Sequence, residues 1–540
     1  MTDVFGHHRL EIPYTPIADL LAQYRRRGPD KPAIVDVDRG RSISFGALDR
    51  AVTDIAAALK DRGVAKGSRV LLLAEENFEK LLLWLGAWRI GAVIVPLDIE
   101  LNAAFVGDLA AAASPAITLV HKELDGAALL EERPFVRFGT YSGNAADADP
   151  QDDFFRVMTR DVAAESLPER NEPADIAGIV CTSGTTSRPK VIVYDHCFYW
   201  LNGLSILECL GVGADDRMLE YRSFGWNSAQ VLSLMPFLQK GLTLHIARRF
   251  SHSRFFEWIT RYGITFAAGV PTVINMLLNK PLGYGSRDVP TLRLMSCSSA
   301  PLAPEQWQRF EEMYGIKLLQ MYGMSEGGWL CGNRHYKCKM GSVGLAALHQ
   351  ELEIVDAEGK PCPPGVGGEV TAGGPHCAIG YLRADGSIEP IRGKRIRSGD
   401  LAIMDEEGFI RVVGRTKDLI IRGGVNIAPA EIDELLLKHA AILDAAAVGV
   451  PDAIYGEEVV CYVVPRPESG LSAAAVIAHC QASLPAAKVP KQVVMVADLP
   501  KNDRGKVLRD RLREDWCERH SGVPTISALA ESGNTSAKVG

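Results

Sequence analysis

Apolar positions recur along this chain with two alternating periods, and the alternation predicts a mixed α/β architecture. Ser44 precedes a run in which Phe45, Leu48, Ile55 and Leu59 share one helical face as far as Gly63, the mark of a capped amphipathic helix. Residues 69–73 form a short apolar run expected as a buried strand, 78–90 a helix and 92–95 a further strand. That order predicts a βαβ unit whose parallel sheet is covered by helices. The alternation resumes later. Helical patterns at 227–238, 254–262, 271–278 and 304–313 are separated by short strands at 242–246, 264–268 and 316–321.

Past Gly341 the texture changes. Short β runs at 351–355, 368–371, 401–404 and 409–413 are punctuated by Pro363-Pro364-Gly365 and Glu406-Glu407-Gly408, which predicts a smaller β-rich subdomain. Beyond Arg415 comes a strand at 418–422, a helix at 429–439, strands at 445–450 and 459–464, a helix at 473–484 and a strand at 492–496. A boundary is therefore expected at 414–418. It divides a large domain, 1–415, of parallel-rich sheets flanked by helices from a small α+β domain, 416–520. Residues 521–540 are small, polar and aperiodic, the composition of a disordered tail.

At 540 residues the chain is too long for one ordinary domain. With 47% hydrophobic and 23% charged residues it reads as globular, and a net charge of -7 gives no basic footprint for nucleic acid. The 11 cysteines are scattered, odd in number and without a CxxC pair, as expected of reduced thiols. Cys331, His335 and Cys338 read as an incidental polar loop, because no second ligand pair has matching spacing. The N-terminus lacks the apolar core of a signal peptide. The apolar region 81–97 is broken by Arg89 and closed by Pro96, short of a membrane span. A soluble cytoplasmic protein, monomeric or homodimeric, is expected.

The chemistry centres on residues 180–196. An apolar run is followed by Thr182-Ser183-Gly184-Thr185-Thr186-Ser187-Arg188-Pro189-Lys190 and then a second strand, 191–194. Hydroxyls, backbone N–H groups and a lysine suit phosphate, and Gly184 allows close approach. A Walker P-loop is excluded, because Pro189 stands where its second glycine would be. A second stretch is Gln320-Met321-Tyr322-Gly323-Met324-Ser325-Glu326. Its aromatic can stack a base, and its carboxylate can hold a hard cation. In Arg397-Ser398-Gly399-Asp400 the aspartate can accept the paired hydroxyls of a ribose. Lys506, in Asn502-Asp503-Arg504-Gly505-Lys506, is a point charge on a turn. Read singly, each admits a plain alternative: a surface turn, a solvated glutamate, an Asp-containing turn, a solvated lysine.

Their order and spacing together resemble the adenylate-forming superfamily, and within it the AMP-dependent acyl-CoA synthetases, over roughly Leu20 to Arg513. The family usually has glycine where this chain has Ser187 and Val191. The resemblance implies a phosphate loop of Thr182 to Thr186 with Lys190, in which Thr185 joins Glu326 and Lys506 as catalytic residues. It implies Tyr322 on adenine with Ser299, Ala300, Pro301 and Gly323 beside it, and Ser325 on phosphate. Glu326 would bind Mg²⁺, Asp400 would bind ribose with Arg415 as its neighbour, and Lys506 would bridge the acid and the α-phosphate. Lys417 aligns with the hinge of a mobile small domain, and Gly423-Gly424 with the segment lining the pantetheine tunnel. The acyl pocket would take Phe224, Trp226, Asn227, Ser298, Met321, Gly323 and Met324, with Trp329 and Arg222 as further candidates. Acetyl-CoA synthetases carry a tryptophan at the position of Gly323, so room for more than acetate is expected.

ATP, Mg²⁺ and coenzyme A are thus the expected cofactors, and a small carboxylic acid the substrate. The expected reaction forms an acyl-adenylate with pyrophosphate release and then an acyl-CoA with AMP release. The alternatives are an acyl-AMP ligase that loads a separate carrier protein and, in a different class, a degenerate nucleotide-binding protein.

Overall fold

The computed structural model describes residues 13–97, 103–130, 133–143, 147, 152–181, 190–502 and 506–520. Two large sheets face each other across the main core. In the 9-stranded sheet, six neighbouring strands run parallel, from Lys317–Met324 through Leu294–Cys297, Phe266–Ala267, Arg217–Glu220 and Thr243–Ile246 to Pro32–Asp36. In the 8-stranded sheet, Val93–Leu97 and Arg69–Leu73 run parallel, and the antiparallel pair Ile176–Cys181 and Val191–Asp195 lies beside them.

The helix Phe45–Asp61 begins where the pattern places it, with the Ser44 hydroxyl accepting the Ala47 N–H at 3.3 Å. Its neighbour Phe78–Arg89 is buried on every side between the sheets. The predicted helix at 227–238 is not regular. It opens as Asn227–Ala229, widens into a π turn at Gln230–Leu234 and resumes as Met235–Lys240. The widening falls just ahead of Pro236, which has no N–H for the Leu232 carbonyl.

Several helices were outside the sequence reading. His196–Leu210 is buried on almost every side, so no apolar stripe marks it. Arg509–Arg519 is the converse, mostly charged, with Leu512 its one buried residue. Ile17–Arg27, Ala103–Ala113 and the short Gly126–Leu130 were also outside that reading. No helix among the described residues is long and apolar enough to cross a membrane.

A four-stranded antiparallel sheet follows, Glu353–Val355, Gly367–Ala372, Ile396–Met404 and Ile410–Arg415. Its last strand ends at Arg415, a 3₁₀ turn occupies Thr416–Asp418, and Ile420–Arg422 already belongs to the next sheet. That last sheet is covered on both faces. Along the strand Ile442–Asp452, Ala445 and Ala447 face one apolar cluster while Ala446, Val448 and Val450 face another, as the two-residue period of a strand requires. The helix Pro429–Leu437 packs back on the Ile410–Arg415 strand. The C-terminal segment thereby meets the earlier sheets along one cavity.

Candidate active site

That cavity has a volume of about 1190 Å³ and lies over the C-terminal ends of the parallel strands. The loops that follow those strands supply one side of its wall, the usual place for a ligand in an open α/β sheet, and residues beyond Met340 supply much of the rest. The predicted phosphate residues Thr182, Ser183, Gly184, Thr185 and Thr186 lie outside the described residues. The strands on either side form an antiparallel hairpin pair, with Cys181 opposite Val191.

Lys190 stands at the lip of that hairpin. Its Nζ lies 3.0 Å from Glu326 Oε1. Burial alone would lower the lysine pKa, but attraction and hydrogen bonding to Glu326 outweigh it and hold the ammonium charged. Glu326 is pinned through its backbone, because its carbonyl accepts the Ala378 N–H at 2.9 Å. The preceding carbonyl, of Ser325, accepts the Tyr194 hydroxyl at 3.0 Å. Sequence reasoning missed Tyr381, whose hydroxyl donates to Glu326 Oε1 at 3.0 Å and lies 3.5 Å from Lys190 Nζ. Only a Gly-Tyr pair in a short β run marked it.

Across the cavity, Tyr322 donates its hydroxyl to Asp400 Oδ2 at 2.6 Å, and Arg415 Nε sits 2.8 Å from Oδ1. Asp400 and Arg415 face each other in register on adjacent strands. Burial first, then the Asp400 carboxylate, pushes the Tyr322 phenol well above its ordinary range, so it stays a donor. Each Asp400 oxygen has a second lone pair, so the carboxylate can still take hydroxyl donors.

Lys506 reaches the same cavity from the C-terminal segment. Its turn is clasped by Asn502, whose side chain accepts the Lys506 N–H at 2.9 Å and whose own N–H donates to the Lys506 carbonyl at 2.9 Å. Burial, then repulsion from Arg415, lowers the Lys506 pKa to about 8 against the pull of Asp400 and Asp418. A lysine so placed is poised to gain an anionic partner.

Ser298 to Pro301 follow the strand Leu294–Cys297 and line the cavity. Ser299 sits at φ 75°, a left-handed conformation that a serine adopts only under constraint. Trp226, Asn227, Met321, Met324 and Trp329 also line the cavity.

The expectations for Phe224, Arg222 and Gly323 are revised. Phe224 is 1% exposed and belongs to the core, with its carbonyl taking the Gln230 side chain at 2.7 Å. Arg222 is buried and neutralised by Glu220, at 2.9 Å from Nε and 2.7 Å from Nη2, and touches the cavity wall only through Ser298 at 3.5 Å. Gly323 does line the cavity, but a side chain there would not fill it. A Cβ would meet the Gly328 carbonyl at 2.6 Å, so the position is held by the adjoining strand. Lys417 lies in the 3₁₀ turn, 3.5 Å from Asp510. Gly423 and Gly424 form the turn between Ile420–Arg422 and Val425–Ile427, with φ of 56° and 82°. None of these three lines the cavity.

The residues present fit a magnesium ion. Among the described residues no three His, Cys, Asp or Glu side chains form a metal cage. One carboxylate, that of Glu326, is nevertheless a donor of the kind magnesium takes when a nucleotide completes its shell.

The AMP-binding enzyme family model matches residues 21–382, and that of the AMP-binding enzyme C-terminal domain matches 431–506. The chain is 32% identical to the sulfoacetate–CoA ligase of Cupriavidus necator, over 92% of this chain and 97% of that one. It is 30% identical to a feruloyl-CoA synthase of an Amycolatopsis species, over 88% and 94%. Among solved structures, ATP-bound MatB from Rhodopseudomonas palustris superimposes with a TM-score of 0.83 at 27% identity, covering 93% of this chain and 99% of that one.

Proposed function

The chain belongs to the AMP-binding enzyme family of adenylate-forming acyl-CoA ligases, and from that premise we propose how its cavity works. A carboxylate is a poor electrophile because oxide is a poor leaving group. Here a carboxylate oxygen attacks the α-phosphorus of ATP, pyrophosphate departs, and the acid becomes a mixed anhydride with AMP. The thiolate sulfur of coenzyme A then attacks the acyl carbon, and AMP leaves with the bonding electrons.

Catalysis in the first step is positioning and charge stabilisation. Lys506 meets the carboxylate and the α-phosphate, Lys190 and the 182–186 loop with Thr185 meet the outer phosphates, and Ser325 lies beside them. Tyr322 packs on adenine between Gly323 and the Ser299-Ala300-Pro301 turn, and Asp400 with Arg415 takes the ribose. Glu326 would hold magnesium, which neutralises phosphate charge when bound. Residues 1–415 form the body and 416–520 a domain that turns about Lys417, bringing Gly423-Gly424 to the site for the thiol step.

The observation that carries this reading is the convergence of Lys190, Glu326, Tyr322 and Asp400 with Lys506 on one cavity, from segments far apart in the chain. The acid is one with a polar group beyond its reacting carboxylate, read by Asn227 and Ser298 on a wall that is otherwise Trp226, Met321 and Met324. The two curated relatives, named for sulfoacetate and ferulate, accord with such a group.

The test is pyrophosphate and AMP release with ATP and Mg²⁺ across a panel of acids and their hydrocarbon isosteres, with and without coenzyme A. Turnover that needs coenzyme A and prefers the polar member of a pair supports the reading. Exchange that ignores coenzyme A would indicate carrier-protein loading instead. Preference for the hydrocarbon member would remove the polar-group assignment.

A further inference from the structure

Tyr381 is a cavity residue to which neither the sequence nor the reaction above gives a task. It lies on the strand Gly380–Leu382, which pairs antiparallel with Val191–Asp195 and puts Tyr381 in register with Ile192, next to Lys190. Its hydroxyl is 3.0 Å from Glu326 Oε1 and 3.5 Å from Lys190 Nζ. Lys190 Nζ is itself 3.0 Å from the same Oε1 and 5.2 Å from the centre of the Tyr381 ring. The three groups close a triangle in which one carboxylate oxygen takes two donors.

The two donors are not equivalent. Lys190 and a divalent cation are both positive, and so are rivals for Glu326 at close range. When phosphate draws Lys190 away, a glutamate held by that ammonium alone would be released to rotate. Tyr381 is neutral, and burial, then the Glu326 charge, keeps its phenol protonated. It therefore remains a donor to Oε1 whichever cation is present. A ligand carboxylate held by a neighbouring donor presents its remaining lone pairs in a fixed direction, which is how surrounding groups tune metal affinity.

We propose that Tyr381 is a positioning residue for the cation-binding carboxylate, holding Glu326 in orientation while Lys190 transfers to the phosphates of the nucleotide. This rests on the assignments of Glu326 to magnesium and Lys190 to phosphate made above. The Gly380–Leu382 strand is suited to the task. It joins the sheet that carries Lys190, and the Ala378 N–H just before it holds the Glu326 backbone.

Tyr381→Phe keeps the ring under Lys190 and removes only the hydroxyl. ATP binding to the full-length protein is measured by calorimetry in EDTA and in excess Mg²⁺. In EDTA the variant should bind ATP within about twofold of the parent. The gain in affinity on adding Mg²⁺ should shrink about tenfold, the scale of one hydrogen bond to a charged group. The KM for the acid and the thermal midpoint should not move. An unchanged magnesium gain would overturn the proposal, and so would equal weakening with and without the metal, which would put Tyr381 on the nucleotide itself. Glu326→Gln separates the two levels. If it loses the gain and Tyr381→Phe keeps it, only the role of Tyr381 fails. If Glu326→Gln keeps the gain, the assignment of Glu326 falls and the role of Tyr381 falls with it.

Discussion

The Tyr322 hydroxyl donates to Asp400 Oδ2 at 2.6 Å, across 78 residues of sequence, and ties the 9-stranded sheet to the four-stranded one. The bond aligns the proposed adenine platform with the proposed ribose ligand before any nucleotide arrives. Asp400→Asn would lose the charge that faces Arg415 and leave that guanidinium uncompensated. Removing one partner of such a pair costs about 3 kcal/mol where burial is deep, and Arg415 is only half-buried. A rise of roughly tenfold or more in the KM for ATP is expected, with the KM for the acid unchanged. Steady-state kinetics in both substrates decide it, and equal effects on both would contradict the assignment.

Lys506→Ala should lower adenylate formation by about a hundredfold or more, the scale of losing one charge-stabilising donor. Thioester formation from supplied acyl-AMP should continue. Single-turnover measurements of each half-reaction separate the two. Equal loss in both would show that the lysine does not act on the α-phosphate step.

The Lys506 pKa of about 8 sets a pH dependence. The charged form is the useful one, so kcat/KM for the first step should be level at lower pH and fall as pH rises through about 8. Lys506→Arg should move that limb out of range. Unfolding is not the cause. The folded value lies below the unfolded value of about 10.4, so between the two the unfolded chain binds more protons and the fold gains stability with rising pH. A limb unchanged in the arginine variant would assign it to another group.

Gly323 tests the wall of the cavity. A tryptophan there is the substitution that the family comparison suggests for narrowing the pocket, but the Gly328 carbonyl stands 2.6 Å from a Cβ at that position. Even Gly323→Ala should displace the Gly328–Gly332 strand and destabilise the protein by about 1–3 kcal/mol. Acid preference should not be redirected. Thermal unfolding and an acid panel on the same variant check this, and redirected preference at an unchanged midpoint would refute it.

Much of this arrangement was legible in the residues, for local reasons. Ser44 and the stripe from Phe45 to Leu59 specify their helix, because cap and period agree. Lys190, Tyr322, Asp400 and Lys506 stood out in the sequence as candidates for phosphate, base, ribose and charge groups, and the structure brings the four to one cavity. Other features depended on contacts that no spacing reveals. His196–Leu210 is too uniformly buried to show a stripe. Tyr381 matters through its pairing with Ile192, a partner set by sheet order. Arg222 looked available for a substrate until Glu220, two residues away on the preceding strand end, took its charge. Phe224 shows the same limit from the other side, since direction decides whether a residue beside a pocket lines it, and direction comes from packing.

The Asn502 clasp has a mechanical consequence. Both backbone groups of Lys506 are satisfied within its own turn, so its place among Asp400, Arg415 and Asp418 is held through charge. Neither of these two backbone bonds reaches a residue of the other sheets. In the reaction proposed above, where Lys506 serves only the first of two steps, such a turn would travel as one piece, keeping its own shape wherever the segment that carries it is placed.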